Sequence, residues 1–342
     1  MAKKPVTDDG AMKALKAQIR TQTVQNLYLF HGEEVYLRDF YLGQLQKALL
    51  PPGLETFNLH RLSGKETDVV AIARAVDCLP MMGDRTLIIV TDYDMMKASD
   101  SEKEGLLALF KELPDYVCLV FVYDLLDYKP DGRTSLSGAL KDHVVPFTRQ
   151  TQGDLTDWVH RRFAALGCDI DTETARFLLF FCGDLMTSLA SEIGKIGAYA
   201  GKRRITKGDI EAVAVPLLDA VVFQLTDAIG RRNYDDAAKI LGDLLAMQEP
   251  PIMILAVLGK QLRQLYTARL AIQGGKSTQY LVDLWKMHPY PADKLLGTAQ
   301  RLSLAWCRKA VIRAGETDLA MKSGGGDPGD LLVTLLMELA NG

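Results

Sequence analysis

Two unbroken apolar runs, Thr86-Leu-Ile-Ile-Val90 and Tyr116-Val-Cys-Leu-Val-Phe-Val-Tyr123, constrain this chain more than any other feature. A strand with water on one face alternates apolar and polar residues. A run without a polar break must be covered on both faces, as in the centre of a parallel sheet. Parallel neighbours need crossover helices, and the sequence supplies them. Leu27-Tyr-Leu-Phe30 is a third run, followed by a turn at His31-Gly32 and a helical stripe through Leu37, Phe40, Tyr41, Leu45 and Leu49 that Pro51-Pro52 stops. Glu55 to Leu62 reads as a strand. Thr67 reads as the cap of a helix carrying Val69, Ile72, Ala73, Val76 and Leu79, and Glu102 to Leu113 as the helix between the two longest runs. With Val144-Val-Pro-Phe147 as a last short strand, residues 1–150 form a five-strand α/β domain behind a polar lead-in.

The pattern changes at Thr151, after which strand-like runs vanish. Leu155, Trp158, Val159, Phe163 and Leu166 make one helical stripe ended by Gly167. Thr172 to Cys182 makes a second, ended by Gly183, and Leu185 to Ala200 a third; Ile205-Thr-Lys-Gly-Asp209 opens a short fourth. Residues 151–214 are thus a small helical domain and 215–342 a second all-α domain. In the latter, stripes at Val222, Leu225 and Ile229, at Ala237 to Met247 and at Ile252 to Ile272 precede helices over Pro291–Ala314 and Asp327–Ala340. A length of 342 residues fits this division, because one core stops growing at roughly 250–300 residues. No fixed-period repeat is present.

Composition narrows the function classes. A net charge of −3 argues against a chain that coats nucleic acid with its whole surface. The longest apolar run, Pro250 to Gly259, falls short of the roughly 18 residues a bilayer span needs, and the start lacks the features of a secretory signal, so no membrane association and a cytoplasmic location are expected. Cys78, Cys118, Cys168, Cys182 and Cys307 show no metal-ligand or disulfide spacing and read as small buried hydrophobes. His31, His60, His143, His160 and His288 are scattered, with no hydrolytic motif around them. Neither a catalytic residue nor a metal site is expected.

The first strand and turn invite comparison with a P-loop, in which backbone amides and a lysine neutralise phosphate. Here the turn holds Gly32, Glu33 and Glu34: one glycine, no lysine, and two carboxylates where phosphate oxygens would sit. That repulsion opposes nucleotide binding, so no cofactor is expected. Gly274-Gly275-Lys276-Ser277 contains a G-K-S, but Leu270 stands where the first glycine is needed, and no strand precedes it. Thr91-Asp92-Tyr93-Asp94 follows a strand as a metal-binding carboxylate run would, although acidic turns are common there. Leu79-Pro80-Met81-Met82 sets large apolar residues side by side after a helix end, suited either to the core or to a partner's groove. Residues 255–322 carry eleven lysines and arginines against four carboxylates, with Tyr266, Tyr280, Trp285, Tyr290 and Trp306 interleaved. This is either a solvated face or a surface for nucleic acid.

In order and spacing, several stretches together resemble the delta-subunit family of bacterial DNA polymerase III clamp loaders. They are Leu27-Tyr-Leu-Phe-His-Gly-Glu-Glu-Val-Tyr-Leu-Arg38, Leu79-Pro-Met-Met-Gly-Asp-Arg85, Asp154-Leu-Thr-Asp-Trp-Val159, Gly183-Asp-Leu185, Glu192-Ile193, Ile205-Thr-Lys-Gly-Asp-Ile210 and Asp318-Leu-Ala-Met-Lys-Ser-Gly324. The resemblance implies a degenerate AAA+-type α/β domain over 1–150, a helical lid over 151–214 and a helical collar over 215–342. It implies no ATP hydrolysis by this chain, although the chain would be part of a DNA-directed DNA polymerase, a nucleotidyltransferase as a complex. The implied partners are the β sliding clamp, the gamma/tau and delta-prime subunits, and primed DNA. Leu79, Pro80, Met81 and Met82 would grip the clamp, with methionines where the family often has leucine or phenylalanine, and Trp285 would touch the template strand. Two other readings stay open on the residues alone: an active P-loop NTPase, and a stand-alone DNA-binding protein.

Overall fold

The computed structural model describes residues 9–287 and 289–341; His288 and the first eight residues of the polar lead-in lie outside the described residues. The chain divides into two compact units, one of residues 1–150 with Leu185–Thr187, the other of Thr151–Asp184 with Ser188–Gly342.

The first unit runs α1 (Asp9–Thr21), β1 (Leu27–His31), α2 (Val35–Leu49), α3 (Glu55–Asn58), β2 (Leu59–Ser63), α4 (Val69–Val76), β3 (Thr86–Thr91), α5 (Asp100–Lys111), β4 (Val117–Val122), α6 (Ser135–Leu140) and β5 (Val144–Pro146). Its five strands are all parallel, in the order β2-β3-β4-β1-β5, with Leu29 opposite Phe121 and Ile88 opposite Leu119. The apolar runs form the three central strands, and alternate residues serve two cores. Leu29, Ile88, Val90, Leu119 and Phe121 pack with Ile72, Leu106 and Leu140 on one face; Tyr28, Phe30, Leu87, Ile89 and Val120 pack with Leu15, Leu45 and Phe147 on the other. This double cover is the reason the runs have no polar break.

Several expectations are corrected. The polar lead-in contains α1, whose Met12 and Leu15 are buried. Glu55–Asn58 is a helical turn, and the strand begins only at Leu59. There the N–H groups of Phe57 and Asn58 both donate to the Leu54 carbonyl, at 3.1 and 3.0 Å, a curl that two-residue alternation cannot reveal. The cap of α4 is Asp68, which accepts from the Ala71 N–H at 2.7 Å, and the helix stops at Val76, so Leu79 lies beyond it. Cys78 is exposed, whereas the other four cysteines are buried.

The second unit is helical throughout its described residues: α7 (Gln152–Ala165), α8 (Thr172–Cys182), α9 (Met186–Ala200), α10 (Lys207–Val213), α11 (Leu218–Gly230), α12 (Tyr234–Ala246), α13 (Pro251–Gln273), α14 (Thr278–Trp285), α15 (Pro289–Arg301), α16 (Leu304–Lys322) and α17 (Pro328–Ala340). The first residues of α9 belong to the other unit. The expected helix over Pro291–Ala314 is two, because the Ser303 hydroxyl accepts from the Trp306 N–H at 3.1 Å and starts α16 afresh. The short α14 follows the Gly274-Gly275 break without having been expected from the sequence. Helices α11 to α17 enclose one core built on Val222, Leu225, Ile229, Leu258, Leu265, Leu295 and Leu335. Trp306 joins that core, and its indole N–H and the Tyr234 hydroxyl both donate to the Leu339 carbonyl, at 3.2 and 2.8 Å. No single helix among the described residues is long and apolar enough to cross a membrane.

Candidate functional site

The segment between α4 and β3 presents the apolar residues singled out in the sequence. Leu79, Met81 and Met82 are 72%, 56% and 85% exposed, and Pro80 is half-buried. Adjacent apolar side chains so exposed make this segment a candidate docking site. The segment is held from below by Asn58. Its side-chain Oδ1 accepts from the Met81 N–H at 2.7 Å, and its Nδ2 donates to the Met81 carbonyl at 2.9 Å. Asn58 is a site residue that the sequence did not reveal: it sits 23 positions upstream of its partner, in a polar stretch with no motif. Met82 adopts the left-handed backbone, φ +56, and Gly83 follows it.

The carboxyl ends of the central strands are where an open α/β sheet binds ligands. Here the corner is filled by the chain itself. The Glu34 N–H donates to the Phe147 carbonyl at 2.9 Å and the Val35 N–H to the Glu33 carbonyl at 3.0 Å, which occupies two amides that a phosphate cradle would need. Gly32 sits at φ +119, and a Cβ there would lie 2.3 Å from the Phe147 oxygen, so the glycine serves a close backbone approach. The Glu33 carboxylate pairs with Arg149 at 2.8 Å. The buried Glu34 carboxylate accepts from the Met186 N–H at 3.4 Å within the same unit.

Two further residues complete the corner. Arg38, buried on the first turn of α2, pairs with Asp124 at 2.8 Å and donates to the Tyr123 carbonyl at 3.2 Å. Asp92, the carboxylate after β3, accepts from the N–H groups of Asp124 and Leu125 at 2.8 and 2.9 Å, and so anchors the turn after β4. Burial lowers the His31 pKa. A neutral imidazole adds no charge for phosphate. Asp94, the other carboxylate of that run, pairs with Lys97 at 3.0 Å.

The basic stretch is partly neutralised within the second unit: Lys260 pairs with Asp219 at 2.8 Å, Arg313 with Glu316 at 2.7 Å and Lys322 with Asp318 at 2.7 Å. Trp306 is core and unavailable for stacking, and of the five interleaved aromatics only Tyr280, 43% exposed, counts as exposed. Trp285, the last residue of α14, is half-buried. It lines a cleft of about 370 Å³ with Phe180, Phe223, Lys260, Gln264 and Lys286. Gly274 and Gly275 end α13, and the Lys276 ammonium lies 5.8 Å from the centre of the Tyr280 ring.

Comparison with known proteins shows what the chain is similar to. A family model described as DNA polymerase III, delta subunit, matches residues 28–148, and one for the C-terminal domain of the same subunit matches 219–339. The chain is 25% identical over 324 residues to DNA polymerase III subunit delta of Bacillus subtilis, covering 92% of this chain and 93% of that one. It is 23% identical over 261 residues to a probable DNA polymerase III subunit delta of Aquifex aeolicus, covering 74% and 73%. Among solved structures, the Bacillus subtilis DNA clamp loader delta protein matches with a TM-score of 0.53 at 23% identity, over 96% of this chain and 99% of that one, a likeness of fold.

Proposed function

The chain belongs to the DNA polymerase III delta subunit family, and from that premise we propose that it grips the ring-shaped β sliding clamp through Leu79, Pro80, Met81 and Met82. In doing so it opens one clamp interface for loading onto primed DNA. The observation that carries this reading is the exposure of Leu79, Met81 and Met82 on a segment whose backbone is pinned to a buried side chain. Apolar side chains so displayed gain free energy only when a partner covers them, and that gain holds the clamp in an open or strained form.

The chain works without hydrolysing ATP. The reading is supported by the missing lysine, by the carboxylates Glu33 and Glu34, and by the engagement of the Glu34 and Val35 amides within the chain. ATP chemistry belongs to the gamma/tau subunits beside it. Residues 215–342 act as the collar through which this chain joins those subunits and delta-prime, and 151–214 act as the lid. Trp285, half-exposed beside Lys286, contacts the template strand in the assembled loader.

The test is titration of the chain against its cognate sliding clamp on a sensor surface, comparing wild type with Met81→Ala/Met82→Ala. Binding by the wild type and a loss of about a hundredfold in the variant are expected, since each methionine offers up to about 1.5–3 kcal/mol on burial. An unchanged variant refutes the site, and a wild type that does not bind refutes the function.

A further inference from the structure

The geometry points to Asn58 as the positioning residue that holds Leu79, Met81 and Met82 ready for the partner's cleft, an inference that rests on the clamp-gripping reading above. Asn58 is 0% exposed at the end of α3, yet it spends both ends of its amide on one residue of an exposed segment. A residue in an antiparallel ladder exchanges an N–H and a carbonyl with its opposite in the same way. Here a side chain takes the place of the second strand.

The chain bends around this amide. Pro80 fixes one backbone torsion on the near side. Met82 turns left-handed on the far side, and Gly83 passes so close that a Cβ there would lie 3.3 Å from Asn58 Nδ2. Both backbone groups of Met81 are therefore taken, while its side chain stays more than half exposed. A free segment of this length would have to be ordered at the moment of binding, and that cost would be subtracted from the apolar gain. Asn58 meets it during folding, so the side chains meet the cleft already in place.

Amide hydrogen exchange on the wild-type chain tests the grip without any substitution. The Met81 amide is expected to exchange at least about tenfold more slowly than an open loop amide; exchange at the open rate overturns the inference. Asn58→Leu keeps the branched shape and removes both bonds. It is expected to weaken clamp binding about tenfold with Leu79, Met81 and Met82 intact, and Asn58→Ser, too short to reach both groups, to do the same if the leucine variant fails to fold. A cycle with Met81→Ala/Met82→Ala separates positioning from a general structural role: the effect of the Asn58 substitution is expected to shrink in that background to the part carried by Leu79. If the wild type binds but the Asn58 variants bind equally well, or their loss persists undiminished in the double-alanine background, the positioning role is overturned and the clamp reading stands. A wild type that does not bind overturns both.

Discussion

Replacing Met82 by alanine separates a side chain that serves a partner from one that serves the core. Met82 is 85% exposed, so the folded chain has already buried only a small part of it. Full burial of a methionine contributes about 1.5–3 kcal/mol, so a cleft that covers Met82 recovers most of that amount, and the methyl that alanine retains leaves a net loss of about 1–2 kcal/mol. Affinity for the clamp is therefore expected to fall about five- to thirtyfold. Stability is expected to change by less than about 0.5 kcal/mol, because no core contact is lost and alanine and methionine suffer alike at the left-handed φ of +56. Isothermal titration of the chain with the clamp reads the first quantity and a thermal melt of the free chain the second. Unchanged affinity refutes the reasoning, as does a loss of stability near 2 kcal/mol, which would mean that Met82 packs against its own chain.

Other perturbations test the scaffold. Asp209 closes the capping box of α10, and its carboxyl is held well below the usual range by Arg203 first, then by the hydroxyl and N–H of Thr206, against the cost of burial. Because the folded pKa is depressed, this stabilisation is fully present above the unfolded value of about 3.9 and is lost as pH falls below it; melting temperature followed from pH 7 to pH 3 is expected to fall more steeply in wild type than in Asp209→Asn. Gly230→Ala places a Cβ 2.1 Å from Thr298 Cγ2, and Thr298 cannot rotate away without giving up its donation to Asp227 Oδ1 at 3.0 Å. A loss of about 1–3 kcal/mol in a denaturant titration is expected from such overpacking.

The central strands were legible because their covering is written into their own residues: Ile88 and Ile89 face opposite cores, and neither tolerates a polar neighbour. The change at Thr151 was legible for the complementary reason, since helical spacing replaces continuous runs. Elements whose signal is short or shared were not. Met12 and Leu15 are too few among lysines and glutamines to announce α1, and Ser303 breaks a pattern that is apolar on both sides. In the site, Leu79-Pro80-Met81-Met82 stood out as an apolar cluster past a helix end, but its choice between core and surface depended on where α4 stops. Asn58 escaped the sequence altogether and Arg38 stood in a signature stretch without a role, because their meaning lies in partners 23 and 86 positions away, contacts made only once the sheet has assembled.

The guanidinium of Arg38 and the carboxylate of Asp92 also bear on timing. A cation and an acceptor supplied by side chains have an unlimited residence time: they are not hydrolysed, they do not dissociate, and their local concentration does not follow metabolism. The corner they occupy at the ends of β3 and β4 therefore keeps one shape while small-molecule levels rise and fall around it. On the function proposed above, a corner of fixed shape leaves the rhythm of grip and release to the chain's neighbours.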